Sequence, residues 1–394
     1  MSERYSFFAL ARHAVNSRKP WPRVLQRPTL KKSYDAVIIG GGGHGLATAY
    51  FLAKDHGMKN IAVLERGAIG QGNSGRNTQV VRSDYYHLAS SRFFERSLRL
   101  YEGLSRELNY NIMLSQRGKV SLAHSPHEME VLRRTVNAIR LNGVDSEIVT
   151  PRELAKLEPM LNFASRYPIE GAAVQWRGGI SRHDAVVWAF ARAAGKLGVE
   201  TTQGPVATPR VLMAVAGHSS VLAQKAGLRL PIHSTGLQAM VTEPVKPLID
   251  TVLVSAAIHM YVSQTGRGEV VIGGGAEVFN SYAQRGGLPV FEANAQAAVE
   301  LFPCLSRLRV MRQWAGTADI TPDTSPIMGL TPVAGLYISG GWGTGGYKAI
   351  PAGGETMAWT LANDRPHELI AGFGLDRFAT GALIDEGAAS GVAH

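Results

Sequence analysis

The sequence predicts a mixed α/β fold (α+β overall), in which a Rossmann-like dinucleotide-binding domain is interleaved with an antiparallel-sheet domain. Three observations predict it. An apolar run at residues 34–39 enters a glycine cluster at 40–45 and then a helix-forming stretch at 46–54. A second strand–glycine–helix junction recurs near the other end, at residues 335–362. Between them lie β-rich segments at 235–241 and 269–273, as expected of an antiparallel sheet.

At 394 residues the chain is long enough for two interleaved domains. Its 45% hydrophobic and 18% charged composition suits a well-packed globular protein, and no apolar run reaches membrane-spanning length. The single cysteine, Cys304, excludes an intramolecular disulfide and a cysteine-based metal site. It lies in an apolar context that reads as core filling, and it fits a reducing cytoplasm. The formal charge of +10 does not come from an aromatic-interleaved basic patch, so neither nucleic acid nor membrane is an expected partner. Many of the basic residues (Arg4, Arg12, Arg18, Lys19, Arg23, Arg27, Lys31 and Lys32) crowd into residues 1–32 beside Pro20, Pro22 and Pro28. That segment lacks the apolar run of a secretory signal and reads as an extended arm lying on the body or on a partner subunit.

Within the first junction, Gly40, Gly42 and Gly45 occupy the three glycine positions of G-x-G-x-x-G, with Gly43 and His44 inside the turn. The first glycine permits the tight turn, the second lets backbone approach a pyrophosphate, and the third packs helix on strand. The helix N-terminus then presents unpaired N–H groups to the phosphates. A second strand at 60–64 ends in Glu65, twenty residues after Gly45, where a carboxylate accepts hydrogen bonds from an adenosine ribose.

After this unit comes a polar glycine-rich loop at 67–77, containing Asn73, Arg76 and Asn77, which can wrap a cofactor from the side. Gly343, Gly345 and Gly346 form the second glycine cluster. One cofactor held from both chain ends suits a long FAD better than a compact NAD.

Together these residues resemble the glycine oxidase and sarcosine oxidase superfamily of flavoenzymes. The match is closest to the β subunits of heterotetrameric sarcosine oxidase. It rests on residues 33–52, the 72–77 loop, Ser115-Gln116-Arg117-Gly118, Arg182-His183-Asp184, the 340–348 cluster and residues 379–386, and runs from about residue 32 to the C-terminus. The resemblance implies oxidation of sarcosine with peroxide formation, in complex with α, γ and δ subunits. It implies FAD held noncovalently and FMN bound covalently to His183. Monomeric relatives anchor FAD through a cysteine before T-x-D; here the stretch 314–319 has none. Taken alone, a histidine before a helix is more often a cap or surface residue.

The resemblance assigns Arg82 and Lys348 to the substrate carboxylate. A guanidinium can grip a carboxylate in bidentate fashion. A lysine beside a helix N-terminus is disfavoured by the helix dipole, which agrees with a functional role. His259 and Tyr261, two residues apart on an expected strand, share a face and either line the substrate cavity or fill the core. Oxidation needs the neutral amine, so a desolvating site is expected to lower the substrate amine's pKa.

The expected division places residues 33–110, 181–220 and 312–394 in the FAD-binding domain, and 111–180 and 221–311 in the substrate domain. One region departs from the pattern. Near residues 199–204 roughly twenty residues, about two short strands, are missing relative to the family. Two further readings follow: a single-flavin oxidase or dehydrogenase of another N-methyl amino acid, and a degenerate subunit with impaired FAD binding.

Overall fold

The computed structural model describes residues 7–15, 31–196 and 206–385. Its organising strand, Ala36–Ile39, consists of alanine, valine and isoleucine and has both faces covered, as central parallel strands do. It pairs in parallel with Ile61–Leu64 on one side and Val211–Met213 on the other. Leu336–Gly340 extends the sheet in parallel, and Ile327–Leu330 adds antiparallel at the edge. Residues remote in sequence thus build one five-stranded sheet.

Helices Gly43–Asp55, His183–Lys196 and Ile350–Asn363 contribute to one core with this sheet, through Ile38, Phe51, Phe190, Trp342 and Met357 among others. The packing is close because two glycines allow it. A Cβ on Gly45 would lie 2.0 Å from the carbonyl oxygen of Gly40, and one on Gly354 would lie 2.4 Å from the Cβ of Ala47. Both expected strand–glycine–helix junctions are present, and their two helices pack against each other.

An eight-stranded sheet forms the second layer system, with a core that includes Met240, Leu253, Val262 and Ile272. His233–Pro244 and Glu269–Ala276 are antiparallel neighbours in it, as their composition led one to expect. Cys304 is half-buried against this core. The strand Val310–Ile320 pairs along its length with His233–Pro244, so residues 312–320 belong to this sheet although they were grouped with the FAD-binding segments. The chain returns to the five-stranded sheet at Ile327–Leu330. A small three-stranded sheet joins Val80–Val81, Gly179–Ile180 and Ser115–Gln116, bringing together the segments that carry Arg82, His183 and Lys119.

One expectation is corrected in the arm. Residues Phe7–Val15 are helical, not extended, with Phe7, Phe8 and Val15 exposed. The run holds Ala, Leu and Arg without glycine or proline, and helix propensity wins locally. The rest of the arm, and the departure near 199–204, lie outside the described residues. Among the described residues no helix is long and apolar enough to cross a membrane.

A buried ion pair ties the C-terminal segment to the sheet. Arg377 donates from Nε to Asp323 Oδ2 at 2.7 Å and from an Nη to Oδ1 at 2.9 Å, and Asp323 Oδ2 also accepts from the Ile384 amide at 3.1 Å. Both side chains are almost wholly buried. Burial alone would raise the Asp323 pKa; the Arg377 and backbone donors outweigh it and hold the group below its ordinary value. Arg377→Met should therefore cost about 3–5 kcal/mol, because it leaves a buried carboxylate without its cation. The contribution should be present at neutral pH and fade as pH falls through the carboxylate range. Urea melts at pH 7 and pH 4 check both: equal losses at the two values would contradict the assignment.

Candidate active site

A cavity of about 1230 Å³ opens between the two sheets. It exceeds the ordinary size of a small-molecule site and has room for a long cofactor with a small substrate. Gly40, Gly42, Gly43 and His44 line one end of it. Gly40 has φ +117°, a conformation that favours glycine, and its Cβ position lies 2.2 Å from the Ala214 carbonyl oxygen. Gly42 is extended, and the space in front of it is bounded only by Ser74 Oγ at 3.1 Å. Gly45 does not line the cavity; it packs the helix onto the turn.

Glu65 lines the cavity but spends its carboxylate on the turn as well. It accepts from the Gly41 amide at 2.8 Å and from the Gly67 amide at 2.8 Å. A carboxylate has further lone pairs for a ribose hydroxyl. The loop after it folds over the glycine turn. Ser74 Oγ accepts from the Gly43 amide at 3.0 Å, Asn73 donates to the Thr317 carbonyl at 2.5 Å, and Asn77 donates to the Ser74 carbonyl at 2.5 Å. Arg76 donates to the carbonyls of Gln71 and Gly72, which secures the loop on itself. Asn73, Arg76 and Asn77 all line the cavity.

The second glycine cluster meets the first directly. The His44 ring stacks on Trp342 at 4.2 Å, and its Nε2 lies 2.8 Å from the Gly346 carbonyl oxygen. Burial lowers the His44 pKa to about 4, so the ring is neutral at pH 7; Nε2 donates to the carbonyl and Nδ1 is left as an acceptor. Gly343 and Gly346 line the cavity, whereas Gly345 sits behind it against Phe94.

Four buried polar atoms on this wall have no hydrogen-bond partner among the described residues: His44 Nδ1, Asp319 Oδ1, Ser339 Oγ and Trp342 Nε1. Buried polar groups are ordinarily satisfied, so this cluster marks a site for a polar ligand. Burial raises the Asp319 pKa to about 7, even though its other oxygen accepts from the Gly341 amide at 2.7 Å. The donors, the acceptors and the open glycine cradle fit a flavin dinucleotide. No cysteine stands on this wall, since the only one, Cys304, packs against the other core.

Arg82 and Lys348, 266 positions apart in the chain, line the same cavity. Lys348 lies in the turn Tyr347–Ala349 ahead of Ile350–Asn363, is buried, and donates to the Thr344 carbonyl at 2.9 Å. Burial holds its pKa well below that of a free lysine, and the nearby Arg82 charge adds to this. Tyr261 also lines the cavity, with its phenol pushed up to about 12 by burial.

His259 lines the cavity, yet not from a strand. The strand is Met260–Gln264, and His259 closes the preceding turn with φ +48°. The same-face argument for His259 and Tyr261 is therefore corrected: a turn breaks the alternation of period two.

His183 does not line this cavity. It starts the helix His183–Lys196 beside the Arg182–Asp184 ion pair, its Nδ1 is buried without a partner among the described residues, and burial lowers its pKa. The structure also places Asp84, Lys119, Asp319, Trp342 and Ser74 on the cavity wall, none of which was singled out from sequence. Asp319 could have been found as the acid of the T-x-D stretch at 317–319; Lys119 carried no local signal.

Comparison with known proteins agrees with this geometry. The family model described as FAD dependent oxidoreductase matches residues 35–359. The sarcosine oxidase subunit beta of Rhodobacter capsulatus is 48% identical over 99% of this chain and 100% of its own length. The alignment spans 413 positions, more than the chain contains, so this chain lacks residues present in that relative. The subunit of the same name from an Arthrobacter species is 48% identical over 93% of this chain and 96% of its own. Among solved structures, L-proline dehydrogenase from P. horikoshii superposes with a TM-score of 0.84 at 24% identity, covering 90% of this chain and 100% of that one. The chain is thus a flavin-dependent oxidoreductase of the FAD dependent oxidoreductase family, and within that family it belongs to the sarcosine oxidase β subunits.

Proposed function

We propose that this chain oxidises sarcosine, N-methylglycine, as the β subunit of a heterotetramer with α, γ and δ subunits. The products are glycine, hydrogen peroxide and a one-carbon unit, released as formaldehyde or carried as methylenetetrahydrofolate. The reading rests on one observation above all. Arg82 and Lys348 reach the same cavity wall, next to the cradle that fits FAD. A buried guanidinium with a buried lysine beside it suits a small carboxylate, whose charge would favour the protonated lysine.

FAD, when bound, supplies the two-electron acceptor that converts the carbon–nitrogen single bond of the amine into an imine. The chain's own residues do the rest. The Arg82 guanidinium and the Lys348 ammonium fix the carboxylate and hence the orientation of the methylamino group. Burial of the wall around Arg82 and Lys348 strips water from the amine, which favours its neutral form. Tyr261, protonated at pH 7, and His259 bound the space beside it. Gly40, Gly42, Gly43, Glu65, Asn73, Asn77, Gly343 and Gly346 would hold FAD without a covalent bond.

His183 is the proposed attachment point of FMN. Its unpartnered Nδ1 and its position away from the first cavity support a second, separate flavin. The imine carbon becomes formaldehyde on adding water, and oxygen takes the two electrons to become hydrogen peroxide.

The chain co-expressed with its partner subunits and precipitated with acid should retain flavin fluorescence in the pellet, and His183→Asn should abolish that signal. Flavin found only in the supernatant would instead indicate a single-flavin oxidase or dehydrogenase of another N-methyl amino acid. No flavin in either fraction would indicate a degenerate subunit. Gly42→Val has a backbone that valine tolerates but fills the cradle, so it should fold with a near-normal melt and bind FAD at least about tenfold more weakly, a change of ~1.4 kcal/mol. A flavin-to-protein ratio equal to that of the parent would contradict the cradle assignment.

A further inference from the structure

Around Arg82 the cavity wall carries more charge than a carboxylate site needs, and its arrangement is specific. Asp84 lies two residues on and accepts from an Arg82 Nη at 2.6 Å through Oδ1. Its other oxygen accepts from Lys119 Nζ at 2.8 Å, and Lys119 also donates to Ser121 Oγ. Arg82, Asp84, Lys119 and Ser121 all line the cavity, and the three charged side chains are only about a tenth exposed. Burial alone would raise the Asp84 pKa; Arg82 and Lys119 outweigh it and hold the group well below the ordinary carboxylate range. Asp84 is thus an anion at neutral pH.

The three groups are pinned from outside the cavity. Between Arg82 and Asp84, Ser83 is held by Gln175, whose Oε1 accepts from the Ser83 amide at 3.0 Å and whose Nε2 donates to Ser83 Oγ at 2.7 Å. Ser83 Oγ donates in turn to Glu95 at 2.9 Å. Lys119 is the direct cross-strand partner of the same Gln175 in the pairing of Lys119–Ala123 with Gly171–Gln175. The Arg82 guanidinium lies over the Tyr85 ring at 4.4 Å, and that ring stacks on Phe94 at 3.9 Å. Asp84 cannot swing away without breaking its bonds to Arg82 and Lys119.

An aspartate fixed on Arg82 poses an electrostatic problem. Asp84 cancels the charge of Arg82, and Lys348 on the same wall, whose own charge burial disfavours, is then the remaining attraction for an incoming carboxylate. Lys119 removes the problem by taking the second oxygen of Asp84. With both present, the Arg82–Asp84–Lys119 group carries one net positive charge, and an anion arriving at Arg82 meets an attractive field.

We propose that Lys119 is a specificity-determining residue for the substrate's carboxylate, acting by neutralising Asp84, and that Asp84 is a positioning residue that holds Arg82. This rests on the reading of Arg82 as the carboxylate anchor. Lys119 does not touch the amine or the cofactor cradle in this scheme, so its effect falls on binding and not on the oxidation step.

The test uses the flavin-loaded complex with its partner subunits. Lys119→Met should raise KM for sarcosine about 10–100-fold and change kcat less than about threefold. Adding Asp84→Asn to Lys119→Met should recover most of that loss, because the uncompensated anion is gone. Lys119→Arg should stay near the parent. Acetate, with acetamide as the uncharged control, is titrated in parallel against the flavin absorbance spectrum. Acetate affinity should follow the same order across the variants, and acetamide should not.

An unchanged KM and acetate affinity in Lys119→Met would overturn the proposal, as would a double variant no better than the single one. A merely structural role would instead lower the melting temperature and flavin content of Lys119→Met without the KM-against-kcat split, which also counts against it. If the parent complex neither oxidises sarcosine nor binds acetate, the carboxylate anchor itself fails and this inference with it. If the parent does both and Lys119→Met matches it, only the inference fails.

Discussion

The structure depends on one close approach, between the backbone of residues 40–45 and that of residues 342–354. Gly43 gives way to the Ile350 side chain, Gly354 gives way to Ala47, and His44 spans the remaining gap by stacking on Trp342 and bonding to Gly346. Without glycine at these places the two helices would stand apart and the cavity would lose its floor. The same contact brings Lys348, in the turn just ahead of Ile350–Asn363, to the wall that holds Arg82. Cofactor cradle and substrate anchor are therefore consequences of a single packing event.

That event leaves charge and polarity in a poorly solvated place. Isolated buried cations are costly, and the protein manages them in two ways. Arg82 and Lys119 share a carboxylate, so their burial is compensated within the chain. Lys348 has only a carbonyl acceptor among its described hydrogen bonds, and its lowered pKa records the cost. A substrate carboxylate would relieve that cost. The polar atoms of His44, Ser339 and Trp342 that have no partner among the described residues pose the same question for the cofactor.

Much of this was legible in the sequence because the determinants are local. A strand, a glycine turn and a helix follow one another within residues 36–55 and again within 336–363, and each glycine there meets a steric demand of its own turn. Arg82 and Lys348 could be paired only through a family resemblance, because nothing in spacing relates residues so far apart. Lys119 and Asp84 were not legible: their meaning lies in cross-strand register and a short turn, both tertiary. His259 failed for a similar reason, since alternation assumes a strand and the chain turns there with positive φ. The strand Val310–Ile320 reads as leading into the second junction but spends its hydrogen bonds on His233–Pro244, a choice that sheet edges make and local propensity does not.

The residues that this chain lacks relative to its relative bear on the cradle less than their number suggests. The glycine turn is supported from three directions. The Gly40 amide donates to the Leu64 carbonyl at 2.8 Å, the Ala214 amide donates to the Ile39 carbonyl at 2.9 Å, and Ile350 lies against Gly43. All three supports come from described parts of the chain on either side of 197–205. Ile61–Leu64 stands at the edge of the five-stranded sheet among the described residues. The side that faces Ala36–Ile39 keeps its full register, Ala36 to Ile61 through Ile39 to Leu64.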